Sequence, residues 1–265
     1  MKLSRISAGE LMTFRFFLYA VAVLSAAIAV QCASRPSPAK NVIIMIADGM
    51  SGGSWDAAEY WMSGSKRSSC LSSFPEKFGV STYPLNTAGS PTYDPAERCG
   101  YDPVPAWDAT PSSSGYPFKG YAYLSTDVTD SAAAATAMAS GIKTYNSSIN
   151  IDNFGLPAET VLQKAKKRGK ATGVVTTVEF CHATPAGFAA QNLSRANYTD
   201  IAHQMLTSGE LDLIMGCGHP LYDNNGLLTG TASYSFISEA DWTALCAGTL
   251  TSDGAPWTLV EAKDD

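Results

Sequence analysis

The chain has 265 residues, 45% of them hydrophobic and 16% charged, with a formal net charge of −6. This describes an ordinary globular protein with enough apolar material for one large domain or two small ones. The balance is acidic and the one basic cluster is Lys164–Arg168, so a nucleic-acid partner is excluded.

Residues 16–30, FFLYAVAVLSAAIAV, form a 15-residue apolar run behind Lys2, Arg5 and Arg15. The run is short for a membrane span and suits the core of a signal peptide, with Ala27-Ile28-Ala29 as a small-x-small cleavage site. Residues 1–29 therefore read as a signal peptide, which implies a secreted or periplasmic protein. Two alternatives stay open: a lipid anchor at Cys32, or an uncleaved N-terminal anchor in the membrane. The six cysteines match no zinc-ribbon or redox spacing. In an exported chain some would pair, and Cys70–Cys99 would close a surface loop, but the connectivity is open.

Residues 30–40, with two prolines between Arg35 and Lys40, read as a linker. Val42–Ala47 is a continuous apolar run ended by Asp48-Gly49, the pattern of a strand buried on both faces in a parallel sheet. Asp48 would then stand at the strand's carboxyl end, where open α/β sheets place their ligands. Ser54–Met62 reads as a helix with Asp56 and Glu59 turned outward, and Gly79–Leu85 as a second strand. Residues 86–120 are rich in Pro, Gly, Ser and Tyr without periodicity, and read as a loop insertion.

Between Ser131 and Ser140 lie six alanines, with Met138 the one bulky apolar residue. Asp130 suits an N-cap and Gly141 a C-terminal stop, so a short helix is predicted with Ser131 in its first turn. A helix coated in methyl groups can lie very close to a neighbouring sheet. Leu156–Arg168 reads as a surface helix with Pro157 in its first turn and a basic last turn complementing the helix dipole. Ala171–Val178 reads as a strand, Thr199–Thr207 as a helix, and Leu211–Met215 as a buried strand before a Gly216-Cys217-Gly218 turn. Strands alternating with helices predict an α/β protein, a three-layer α/β/α sandwich with a mainly parallel sheet. No repeat of 20–50 residues is visible.

Ser131 carries the clearest chemistry. A hydroxyl in the first turn of a helix sits among backbone N–H groups without intrahelical acceptors, at the positive end of the dipole. That position suits a phosphate and helps a serine lose its proton. Taken alone, Asp130 and Ser131 read as helix caps. Three longer strings resemble the alkaline phosphatase family in the family's own order: Asn41–Met50 (NVIIMIADGM), Val128–Thr144 (VTDSAAAATAMASGIKT) and Thr176–Arg195 (TTVEFCHATPAGFAAQNLSR). With the intervening helix and strand, the resemblance covers most of residues 41–218.

The resemblance implies a metal-dependent phosphomonoesterase with an alkaline-phosphatase-like fold, using Zn2+ and Mg2+ on small phosphomonoesters, and a homodimer when complete. It implies that Ser131 is the nucleophile, phosphorylated during turnover, and that Arg195 grips the phosphate oxygens while Asp130 orients that arginine. Asp48 becomes a metal ligand where the second zinc and the magnesium meet. The Thr184 hydroxyl helps hold magnesium, and His182 lies in the outer shell of that magnesium rather than on a zinc. Without the resemblance, Asp48 is an Asp-Gly turn, Thr184 a threonine packed before a proline, and Arg195 an exposed arginine. His203 and His219 receive no role.

The family's remaining zinc ligands lie beyond the matched strings, and only His219 follows Gly218. Residues 41–265 are therefore expected to be the N-terminal part of such a domain, incomplete at the C-terminus and with little or no phosphatase activity alone. Two other functions compete. One is a secreted phosphate- or metal-binding protein without catalysis. The other is a phosphodiesterase of the same superfamily, which resembles a threonine-nucleophile pattern and is opposed by Ser131. Asn146, Asn192 and Asn197 lie in N-x-S/T sequons.

Overall fold

A computed structural model describes residues 39–96 and 99–261, and the signal-peptide reading and most of the predicted linker lie outside these residues. The chain divides into two units, Met1–Ala47 and Asp48–Asp265. In the described part of the first unit, Val42–Ala47 forms no strand and its side chains are exposed. A parallel strand exists only through a neighbour that takes up its N–H and C=O groups, and within its own unit this segment has none among the described residues.

The second unit opens with a turn at Asp48-Gly49, where Gly49 takes a φ of +71°, and continues into helix α1, Gly52–Ser63. Ser51 caps α1 by accepting from the Ser54 N–H, and Gly64 ends it in the left-handed conformation. The expectation that Glu59 faces outward fails: it is 2% exposed. Residues 67–72 wrap over its carboxylate, which accepts from the backbone of Arg67 and Ser69 and from the hydroxyls of Ser69 and Ser72. These donors replace the water lost on burial and hold the carboxyl well below the usual carboxylate range, the serine hydroxyls contributing most. Cys70–Ser73, inside this wrap, is a short 3-10 helix.

Gly79–Leu85 is not a strand. It is tied to the following region by single bonds, from Leu85 N–H to the Thr144 carbonyl (2.9 Å) and from Lys143 Nζ to the Tyr83 carbonyl (2.7 Å). The long loop after it holds the four-residue helix α2, Pro103–Ala106, capped by Asp102. Helix α3, Lys119–Leu124, ends the loop.

Helix α4 spans Ser131–Ser140, capped by Asp130 at one end and by Gly141, with a φ of +78°, at the other. The next helix is shorter than expected: α5 covers Val161–Lys166, because Thr160 and Gln163 form a reciprocal capping box that starts it after Pro157. Strand β1, Gly173–Glu179, leads into helix α6, Ala183–Ala189, which no sequence pattern announces. Pro185 fits the first turn of α6, where its missing N–H would have no intrahelical acceptor. Helix α7, Tyr198–Thr207, brings the chain back to strand β2, Leu213–Cys217.

β1 and β2 pair in parallel, with Val174 opposite Ile214 and an irregularity between Val175 and Glu179. Two helices lie between the paired strands in sequence, so the α/β class with a parallel sheet is present. The pair is more exposed than expected for buried strands: Val175 is 66% and Met215 63% exposed. Helix α8, Glu239–Cys246, and a two-residue hairpin of β3 (Thr251–Ser252) and β4 (Ala255–Pro256) follow.

The core gathers Ala132, Ile149, Leu162, Val174, Ala186, Ile201 and Met205 between the helices and one side of the strand pair. Small side chains set its spacing. Helix α4 packs most closely on α6 rather than on a sheet, and a Cβ added at Gly187 would overlap the Cβ of Ala135. Gly187→Ala is therefore expected to destabilise the chain by about 1–3 kcal/mol through overpacking, read from urea unfolding.

The five described cysteines are all free thiols, so Cys70 and Cys99 are not bridged. Burial pushes the Cys181 thiol up to about 12. At pH 8 it stays protonated, so iodoacetamide should label the exposed Cys70, Cys217 and Cys246 in the native chain and reach Cys181 only after denaturation.

Candidate active site

Asp130 organises the corner in which Ser131 sits. Its Oδ1 accepts from the Ala133 N–H at 2.9 Å, which caps α4. Its Oδ2 accepts from the Ser147 N–H at 3.0 Å and from Arg195 Nη1 at 3.1 Å. The same Nη1 donates to Ser131 Oγ at 2.8 Å. One guanidinium nitrogen thus bridges the capping carboxylate and the neighbouring hydroxyl at the positive end of a ten-residue helix.

The other end of the guanidinium holds His182, with Nη2 3.2 Å from Nε2. Arginine can only donate, so Nε2 is the acceptor and the proton of the neutral ring lies on Nδ1. Burial first, and the Arg195 charge second, hold the His182 pKa below its ordinary value, in keeping with that neutral form. His182 Nδ1 is buried with no partner among the described residues, and the ring stacks on Tyr198 at 6.3 Å between centroids.

His182 also stands at the N-cap position of α6, which places Thr184 in its first turn. Thr184 Oγ1 lies 3.3 Å from Asp48 Oδ2, and the Asp48 carboxylate is near enough to act on the His182 ring. Asp48, His182 and Thr184 therefore border one region, and Asp130, Ser131 and Arg195 meet His182 through the guanidinium. Asp48 and Thr184 offer two hard oxygens of the kind that suit Mg2+. No three His, Cys, Asp or Glu side chains converge on one point among the described residues, whereas a protein zinc site normally takes three or four such ligands.

The other two histidines lie elsewhere. His203 Nδ1 pairs with Asp241 at 3.0 Å, and His219 Nε2 with Glu261 at 2.7 Å. The basic residues around α5 are also accounted for in part: Lys166 pairs with Asp212 and Lys167 with Glu159. Sequence reasoning missed Asn146 and Ser147, which touch the nucleophile segment directly. Asn146 Oδ1 accepts from the Asp130 N–H and its Nδ2 donates to the Val128 carbonyl, each at 3.0 Å.

An α/β protein that holds a serine hydroxyl at a helix mouth against a carboxylate-anchored arginine belongs to a class suited to binding oxyanions. Residues 112–232 match the family model for alkaline phosphatase. The chain is 45% identical over 122 residues to alkaline phosphatase 3 of Bacillus subtilis, an alignment covering 43% of this chain and 26% of that protein. It is 32% identical to the alkaline phosphatase of Escherichia coli over 61% of this chain and 27% of that protein. Streptomycin-6-phosphate phosphatase of Streptomyces griseus is 30% identical over 62% of this chain and 29% of that protein. Among solved structures, the cold-active alkaline phosphatase of a psychrophilic Shewanella is 31% identical over 68% of this chain and 36% of that chain, with a TM-score of 0.40. The chain is similar to alkaline phosphatases over this region, and spans about a quarter of the length of the curated relatives it matches. Among the described residues no helix is long and apolar enough to cross a membrane.

The double role of Asp130 can be separated. Asp130→Ala should destabilise the chain by about 1–2 kcal/mol through the lost cap, and Asp130→Asn by less, because its amide oxygen still accepts from Ala133. Equal losses in urea unfolding would instead assign the effect to the charge pair with Arg195.

Proposed function

We propose that this chain carries the nucleophile and phosphate-gripping residues of a metal-dependent phosphomonoesterase working through a phosphoserine. The observation that supports this most is the shared Arg195 nitrogen, 3.1 Å from the Asp130 carboxylate and 2.8 Å from the Ser131 hydroxyl. A phosphoryl group brought to Ser131 meets a planar donor already oriented by its carboxylate and the positive end of α4. Ser131 Oγ then attacks phosphorus in line as its proton passes to solvent, the bond from phosphorus to the ester oxygen breaks and that oxygen leaves as the alcohol, and the serine keeps the phosphoryl group until water attacks and releases inorganic phosphate.

Arg195 stabilises the equatorial oxygens as charge spreads over them. Asp130 holds the guanidinium in place, and His182, neutral, supports its far end. Asp48 and Thr184 fit a magnesium ion, which when bound would supply Lewis-acid neutralisation of charge that one arginine cannot balance. Zn2+ finds no matching three-ligand set among the described residues, and its part in this reading rests on the family resemblance alone. With no such set among the described residues, residues 1–265 alone are expected to have little or no phosphatase activity. A small phosphomonoester is the substrate class, with export and dimer assembly as further parts of this reading.

A second reading, phosphate binding without turnover, gains from the same shortage of metal-binding clusters. Acid quenching of the chain after incubation with p-nitrophenyl phosphate and Mg2+, followed by peptide mass spectrometry, separates the two. A phosphoryl adduct on Ser131, lost in Ser131→Ala, is expected. An adduct on another residue, or the same turnover in Ser131→Ala, would sink the proposal, and phosphate bound without any adduct favours the second reading.

A further inference from the structure

Residues 145–148 form a turn in which the Asn146 side chain and the Ser147 backbone face the nucleophile segment and Arg195. Asn146 takes up both sides of that segment: its Oδ1 accepts from the Asp130 N–H at 3.0 Å and its Nδ2 donates to the Val128 carbonyl at 3.0 Å. Ser147 takes up the two charged partners: its N–H donates to Asp130 Oδ2 at 3.0 Å and its carbonyl accepts from the Arg195 backbone N–H at 2.7 Å. Ser147 does this with a φ of +75°, a conformation uncommon for a residue with a side chain. Such conformations persist where the surroundings over-determine them, and here four hydrogen bonds do so.

The turn is itself anchored in the core. Tyr145 is fully buried, with its hydroxyl donating to the Leu193 carbonyl at 2.9 Å, two residues before Arg195. Ser148 is also fully buried, and its carbonyl accepts from the Thr136 hydroxyl of α4 at 3.1 Å. The turn is therefore fixed both to the nucleophile helix and to the segment that carries the arginine. No other described segment is hydrogen-bonded to both Asp130 and the Arg195 backbone.

We infer that the Asn146–Ser147 turn is the positioning element that sets Ser131 and Arg195 against each other, with Asn146 its positioning side chain. The inference rests on the reading of Ser131 and Arg195 as a phosphate site. Asn146 touches neither the nucleophile nor the guanidinium, so it acts through the Val128–Asp130 backbone. Without it the Asp130 N–H loses its acceptor, the cap can rotate, and the arginine loses its fixed partner. Small displacements of this kind weaken a geometrically matched site far more than they weaken a fold.

The test is isothermal titration of inorganic phosphate into the full chain in the presence of Mg2+, comparing the parent with Asn146→Ala and Arg195→Ala. Asn146→Ala should raise the Kd about 10-fold or more while the thermal midpoint stays near that of the parent. If Asn146→Ala binds within about twofold of the parent and Arg195→Ala does not, the positioning role is wrong and the phosphate site stands. If Arg195→Ala also binds as the parent does, the phosphate-site reading itself fails. A second measurement needs no variant: amide hydrogen exchange on the parent chain should find the Asp130 and Ser147 amides protected. Exchange there at the rate of a free loop would remove the clasp.

Discussion

The Arg195 guanidinium joins parts of the chain that are far apart in sequence: the cap of α4, the Ser131 hydroxyl and the ring of His182. A partly buried arginine needs its donors satisfied, and Asp130 supplies the one charge that does so at this corner. The carboxylate cannot be placed for the arginine alone, because its other oxygen starts the helix. The position of the nucleophile, the start of α4 and the pose of the arginine are therefore one constraint. The turn at Asn146 and Ser147 completes it from the side that α4 does not cover.

Packing maintains that constraint at short range. Ala132, Ala133, Ala135 and Ala139 bury the inner face of α4, and Gly187 lets α6 approach Ala135 without a side chain between them. Ser131 begins one of these helices, and the turn carrying His182 begins the other. Close contact a turn into each helix thus fixes the separation of their first residues. Larger side chains would leave both helices intact and move the chemistry apart. Met138, the one long side chain of α4, lies on its exposed face and does not interfere.

Helix α4 was legible in the sequence because both of its ends are written as local chemistry, an aspartate cap and a left-handed glycine, around strong helix formers. The strands β1 and β2 and helix α7 were legible for a similar reason, as β-branched runs and a short amphipathic helix, whereas α6, rich in small residues and carrying Pro185, was not. Val42–Ala47 was not, because its hydrophobicity is local whereas a strand is defined by a partner. Glu59 was misread because a charge on a helix is ordinarily solvated, and the serines that take it in come from a loop with no periodicity. Ser131 and Asp48 were marked by local pattern, a helix's first turn and an expected strand end, while the roles of all six site residues came from the family resemblance; the structure brings four of the six together through Arg195. Asn146 and Ser147 left only a faint trace, a polar pair just after a helix stop, and nothing in their own pattern says that both face Asp130.

The corner also carries an imbalance of charge. Around Ser131 the positive end of a ten-residue helix and a guanidinium converge, with Asp130 the one carboxylate paired with them. Folding must hold these like-signed ends together in the absence of a counter-ion, and an anion that occupies the corner would relieve the repulsion. Mass action would then make such an anion a folding ligand: at 100 times its Kd it would add about 2.7 kcal/mol to the folded state. On that view the durability of this region in any compartment depends on how much free oxyanion the compartment holds, as well as on the packing of the chain.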